Sequence, residues 1–390
     1  MSGPLEGYRV IELAGIGPGP YAGQLLADLG AEVISVQRLK GLAVPMIEGR
    51  GKKSIAMDLK KPGAAEIILK LVASADALIE GNRPGVTERL GVGPEACHEV
   101  NPKLVYGRMT GWGQTGPWSG MAGHDINYIS ITGALHAMGR DGEPPMPPLN
   151  LVGDYGGGSM VLVAGILSAL LKAEKTGKGD IVDAAILDGS SSLMGLFYTL
   201  SGLGQWTPKR ESNMLDGAFP YYRCYTTSDD KYMAVGCLEP QFFSLMLDTL
   251  GIDAATFGGQ NDRSCHPAQT QELATIFATK TRDEWAAIFD GVDACVTPVL
   301  DYQEAASHPQ NQARGGLKTI GPFTHPRTVP AFASRPEEPA FDIPLKGADT
   351  ESVLLEAGFS KDALEELTAN AVISIQIHPK GPMSDPKQRV

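Results

Sequence analysis

Two short stretches of this chain set titratable side chains among glycines. The first is Gly123-His124-Asp125-Ile126-Asn127-Tyr128, and the second runs Asn150-Leu151-Val152-Gly153-Asp154-Tyr155-Gly156-Gly157-Gly158. Histidine and carboxylate groups are common general acids and bases. Glycines beside them let a ligand approach the backbone closely. His124 and Asp154 therefore read as two proton-transfer groups facing each other across one substrate carbon. The plainer readings are a structural histidine and an aspartate that only caps the helix after it.

Other chemistries lack their motifs. No G-x-S-x-G marks a nucleophilic serine, and no H-E-x-x-H marks a zinc hydrolase. The five cysteines (Cys97, Cys224, Cys237, Cys265 and Cys295) are widely spaced with no C-x-x-C pair, so neither a disulfide framework nor a zinc site is expected. A net charge of −12 argues against nucleic acid as a partner, because phosphate backbones demand a basic surface. The first residues have neither a charged nor an apolar leader region, and the apolar run Met160–Leu171 is too short to span a bilayer. An intracellular protein is expected: cytoplasmic in a bacterium, peroxisomal or mitochondrial in a eukaryote.

The elements that must position these groups read as α/β. Residues 8–13 form a strand, 14–20 a glycine-proline turn, 21–29 a helix closed by Gly30, and 31–36 a second strand. That β-α-β unit implies a parallel sheet. Its turn fails the dinucleotide fingerprint: Pro20 stands where the third glycine belongs, and the second strand ends in Gln37-Arg38 instead of an acidic residue. Arg38 reads either as a group for adenine or phosphate or as a solvated strand-end arginine. Arg50, Lys52 and Lys53 form a basic cluster that is not a Walker loop, since Met46 and Lys53 occupy two of its diagnostic positions. With Arg38, Lys40, Arg83 and Lys103 it suggests a local site for an anionic ligand.

Further strands are expected at 77–80 and 104–108. The helix 159–174 would place Asp154 at or just before its positive N-terminus. A hairpin is expected at 221–235, a helix at 241–250, and a strand at 294–299. Proline-rich residues 322–344 read as extended, followed by two small helices. From the residues alone this is an α/β protein with a basic region, an anionic ligand, and a histidine with one or two carboxylates as acid and base; the reaction stays open.

At His124 the sequence resembles the family III CoA-transferase superfamily, on its alpha-methylacyl-CoA racemase branch. The matching motifs include Glu12-Leu13-Ala14-Gly15, Gly51-Lys52-Lys53-Ser54, Asp58-Leu59-Lys60, Arg83-Pro84-Gly85-Val86, and residues 110–116, 123–128 and 148–154. Asn213-Met214-Leu215-Asp216-Gly217, Glu239-Pro240-Gln241-Phe242 and residues 293–299 continue the series, so it covers most of 8–300.

The resemblance implies a large Rossmann-like domain (1–204), a linker (205–220), a small α/β domain (221–320), a return segment with C-terminal helices (321–370) and a tail (371–390) of possible disorder. It implies an interlocked homodimer whose active site draws on both subunits. His124 and Asp154 would flank the α-carbon of a 2-methyl-branched acyl-CoA, with Glu239 completing the catalytic set. Arg38, Met57, Asp58, Leu59, Lys60 and Arg83 would contact CoA, while Gly123, Asp125, Ile126, Asn127 and Tyr128 would line the thioester end. The oxyanion donor would be the N-terminus of the helix after Asp154. No cofactor and no metal would be required. The competing readings are a CoA-transferase using Asp154 as nucleophile and a non-catalytic acyl-CoA-binding protein.

Overall fold

A computed structural model describes residues 3–13, 15–40, 46–320, 323–334 and 342–375. Contacts divide the chain into two compact units, one of 1–129, 149–193 and 327–390, the other of 130–148 and 194–326.

The first unit is built on a sheet. Six strands run parallel: β1 (Arg9–Leu13), β2 (Glu32–Arg38), β3 (Lys53–Met57), β4 (Ala77–Glu80), β5 (Val105–Thr110) and β6 (Asp180–Ala185). Their spatial order is β3-β2-β1-β4-β5-β6, and Ile373–Ser374 adds an antiparallel edge beside β3. Because a strand's side chains alternate between faces, neighbours such as Val10 and Ile11 or Val33 and Ile34 enter different cores. One core packs Ile11, Ile34, Ile55 and Leu78 under Ile67, Ile68 and Leu71 of the helix Ala64–Val72. The other packs Val10, Val33, Ile79 and Val105 under Leu25, Leu26, Leu162 and Ile166. Burial on both faces explains why central strands such as β1 and β4 are nearly continuous apolar runs.

From β1 the chain adds β2 and β3 on one side, then β4, β5 and β6 on the other. The sheet's topological switch point therefore lies between the carboxyl ends of β1 and β4, where open α/β sheets bind ligands. The helix Pro18–Asp28 follows β1 and begins three residues before the expected start. Pro18 and Pro20 are tolerated there because the first helical amides have no intrahelical partner.

The most consequential difference lies at 151–159. Leu151–Ser159 is π-helical and leads directly into the α-helix Met160–Thr176. Glycines make the wide turn possible. A Cβ on Gly157 would stand 2.7 Å from the Ser190 amide nitrogen, and one on Gly189 would stand 1.8 Å from the Gly157 carbonyl oxygen. The joined stretch Leu151–Thr176 is long and apolar enough to cross a membrane by length and composition, contrary to the shorter run read from the sequence. Half of its most apolar window is buried, and Leu162, Val163, Ile166 and Leu170 belong to the sheet's core.

The second unit contains the antiparallel sheet β7 (Tyr222–Thr226), β8 (Tyr232–Gly236) and β9 (Val296–Val299). The helices Pro240–Leu250, His266–Phe277 and Arg282–Phe289 cover it, burying Met246, Phe277 and Trp285 with Tyr225 and Met233. Residues 130–148 and 194–204 join this unit, although the sequence reading assigned them to the first domain. Hydrogen bonds account for the difference: the Tyr198 hydroxyl donates to the Thr132 carbonyl at 2.6 Å, and the Arg210 guanidinium donates to the carbonyls of His136, Arg140 and Glu143. Of the expected tail, residues 376–390 lie outside those described.

Candidate active site

Three loops leave the carboxyl ends of the first unit's central strands: Gly15–Gly17 after β1, Asn82–Arg83 after β4, and Gly111–Trp112 after β5. The Asp154 carboxylate comes to the first of these. A Cβ added to Gly17, whose φ is +76°, would stand 3.3 Å from Asp154 Oδ2. The Ser159 hydroxyl donates to the Pro18 carbonyl at 2.7 Å and so fastens the π-helical segment to the same turn.

His124 precedes a short helix, Asp125–Ser130. Its amide donates to Asn127 Oδ1 at 3.1 Å, and its carbonyl accepts from the Asn127 and Tyr128 amides. The exposed imidazole is left outside this backbone network. Beneath it, the Tyr128 hydroxyl donates to the Gly123 carbonyl while the ring meets Trp112 edge-on at 4.8 Å. Gly123 is required by that packing, since a Cβ there would lie 2.6 Å from the Tyr128 ring.

The two segments are joined. The Asp154 amide donates to Asp125 Oδ2 at 2.7 Å. Asp154 itself is partly buried, and burial is the main cause that raises its carboxyl from the ordinary 3.8 to about 6. The Asp125 charge raises it further, while a hydrogen bond from the Asn150 side chain and the positive charge of His124 pull it back. The ring of Tyr155, the next residue, lies 4.4 Å from that of Tyr21, and its hydroxyl approaches Glu48 at 3.5 Å. The site thus holds a carboxyl that titrates near neutrality and a histidine whose charge it feels.

Several expected ligand contacts have other roles. Met57 is 1% exposed and belongs to the sheet core, so its side chain does not face a ligand. Leu59 packs against the same core. Asp58 Oδ1 accepts from the Lys60 amide at 3.0 Å, which shapes the turn after β3. Arg38 and Lys60 are exposed at that end of the sheet, with Arg38 directly beside Met57 in register. Arg83 is exposed, and its charge reaches Tyr128. Ile126 and Asn127 are exposed in the first turn after His124. Glu239 belongs to the second unit, where it is exposed as the residue preceding the helix Pro240–Leu250.

The basic cluster proves to be structural. Arg50 pairs with Asp28 at 3.0 and 2.5 Å, Lys52 with Glu12 at 2.6 Å, and Lys53 with Glu32. The first two pairs are buried, and a buried cation without its counter-ion would be costly. The proposed oxyanion donor also moves. The helix starts at Leu151, ahead of Asp154, so no helix N-terminus follows the carboxylate. Sequence reasoning missed Asn150 and Gly17 as partners of Asp154; a polar residue four positions ahead of it and a glycine in the turn after β1 were the available signals. Among the described residues no group of three or more His, Cys, Asp or Glu side chains could hold a metal ion.

Residues 5–350 match CoA-transferase family III. The chain is 42% identical over 371 residues to the alpha-methylacyl-CoA racemase of Mus musculus, covering 95% of this chain and 97% of the mouse protein. It is 40% identical to the alpha-methylacyl-CoA racemase of Homo sapiens over the same shares. Among solved structures, a CAIB/BAIF family protein from Brucella suis superposes with a TM-score of 0.80 at 26% identity, covering 92% of this chain and all of that one.

Proposed function

Because the chain belongs to CoA-transferase family III, we propose that it interconverts the (2R) and (2S) forms of a 2-methyl-branched acyl-CoA thioester. The reaction is a 1,1-proton transfer through an enolate. The observation that carries this reading is the Asp154 carboxyl, raised to about 6 and acted on by the His124 charge. A carboxyl that changes protonation near neutral pH, set beside a histidine, suits a reaction in which each group serves as base in one direction and acid in the other.

A thioester carbonyl acidifies its α-hydrogen by accepting the negative charge left behind. One of the pair removes that proton, and the other returns a proton to the opposite face. With its pKa near 6, Asp154 is roughly a tenth protonated at pH 7 and can play either part. Positioned proton transfer contributes typically about 10²- to 10⁴-fold. The chemistry as written needs no metal or redox cofactor. Arg38, Lys60 and Arg83, exposed at the carboxyl ends of β2, β3 and β4, supply positive charge for the CoA phosphates.

We further infer a homodimer in which Glu239 completes the site. Met160, Leu171 and Leu193 in the first unit are 51%, 60% and 53% exposed, an apolar surface suited to burial by a second copy. Sedimentation that returned only a 41.3 kDa species would refute it.

The family's own name carries a second reading. In a CoA-transferase, the Asp154 carboxylate would attack the thioester carbonyl, break its C–S bond with release of the CoA thiolate, and hold the acyl group as a mixed anhydride. The two readings separate in deuterium oxide. A racemase washes deuterium into the α-position of a 2-methylacyl-CoA with no acceptor acid present. Absence of exchange together with CoA transfer to a free carboxylic acid would overturn the racemase reading.

A further inference from the structure

We propose that Asp125 is a positioning residue, whose carboxylate ties the Asp154 backbone to the His124 segment and so holds the two proton-transfer groups in a set relation. This rests on the acid/base reading of His124 and Asp154.

Asp125 directly follows His124 and is 8% exposed. An aspartate in a helix's first turn ordinarily serves that helix's own amides. Here Oδ2 instead accepts from the Asp154 amide at 2.7 Å, across 29 residues of chain. The neighbouring glycine is shaped to the same contact: a Cβ on Gly153 would stand 2.4 Å from Asp125 Oδ2 and 3.0 Å from Ile129 Cγ2. The tie therefore demands glycine at 153 and an acceptor at 125.

The negative charge is a separate matter from the tie. Asp125 Oδ1 is buried with no hydrogen-bond partner among the described residues. Burying a half-satisfied carboxylate is costly, and a neutral asparagine could accept the same amide bond at less expense. Among the described residues, the groups that act on or approach Asp154 are His124 and Asp125 from one segment, Asn150 from its own, Tyr128 and Tyr155, and Gly17 of the turn after β1. Of these only Asp125 is another carboxylate; Glu48 acts on Tyr155. Asp125 thus does two things at once. It places the Asp154 backbone, and its charge favours the protonated form of the group it places.

The experiment uses Asp125→Asn, Asp125→Ala and Gly153→Ala in the full chain. The readouts are α-deuterium exchange against pH, CoA affinity, and titration of the Asp154 carboxyl by ¹³C NMR, assigned by difference from Asp154→Asn. In Asp125→Asn the Asp154 titration and the matching limb of the exchange profile should move to lower pH. Gly153→Ala, which displaces the carboxylate, should lower exchange by about 10²-fold while CoA affinity stays within about threefold. Normal exchange in both Asp125→Ala and Gly153→Ala would overturn the tie, and an unmoved Asp154 titration in Asp125→Asn would overturn the role of the charge. Weakened CoA binding in Asp125→Ala with normal exchange at saturation would also overturn the tie, because that behaviour belongs to a substrate-binding residue. If Asp125→Ala does not fold, Gly153→Ala carries the test of the tie and the near-isosteric Asp125→Asn that of the charge. If the wild-type protein exchanges no deuterium, the racemase reading fails, yet the Asp154 titration in Gly153→Ala, which should move when the Asp125 carboxylate is displaced, still decides the tie.

Discussion

Replacing Asp154 by asparagine should inactivate the protein and stabilise it. A carboxyl whose pKa is raised by folding binds its proton more tightly when folded than when unfolded. Its contribution to stability is therefore greatest when protonated, and falls as pH rises from the ordinary 3.8 to about 6. That interval, at ~1.36 kcal/mol per pKa unit, corresponds to about 3 kcal/mol. Asp154 is only partly buried, and solvent screening reduces the figure to roughly half, on the order of 1.5 kcal/mol. Asparagine keeps the shape and removes the charge. The variant should match the wild type in stability near pH 3.8 and exceed it above pH 6, with a melting temperature about 3–6 °C higher for a unit of this size. Thermal unfolding of both proteins across pH 4–8 measures the difference. A difference that does not grow between pH 4 and 6, or a variant less stable at pH 8, would refute the claim that burial raises the Asp154 carboxyl. A melt of several steps would place the effect in the transition of the first unit.

Further outcomes are expected. His124→Ala should lose α-proton exchange by at least about 10²-fold while CoA still binds, as measured by isotope wash-in and calorimetry; near-normal exchange would remove His124 from the mechanism. Lys52→Ala strands the buried Glu12 charge and should destabilise the protein by about 3–5 kcal/mol, whereas Lys52→Met combined with Glu12→Gln should recover most of it in urea titrations. Arg38→Ala should weaken CoA binding and leave the melting temperature within about 1 °C, since an exposed arginine contributes little to stability.

The outcome for individual residues shows where sequence reasoning held and where it failed. Strands β1, β2, β4 and β5 were readable because residues buried on both faces leave a nearly continuous apolar signature that needs no partner to be seen. The basic cluster misled, because a row of cations looks the same whether it awaits a ligand or is already neutralised. Asp28, Glu12 and Glu32, which neutralise it, come from elsewhere in the fold. Met57 shows a related limit: its motif lies beside the expected CoA site, and strand alternation turns its side chain into the core, which residue type alone did not reveal. The start of the helix at Leu151 was hidden by four glycines (Gly153, Gly156, Gly157 and Gly158), which by propensity alone argue against a helix.

The sequence by itself determined the α/β class, the parallel sheet and the two glycine-flanked segments that carry His124 and Asp154. These follow from hydrophobic periodicity and from residue types at short range. Only the tertiary structure decided that Asp154 sits within a π-helical segment against the turn after β1, tied by its amide to Asp125 and raised to about 6. The ionisation of a carboxyl depends on the charges and solvent around it in space. For Asp154 those neighbours are supplied by chain segments that folding, not sequence order, brings to it.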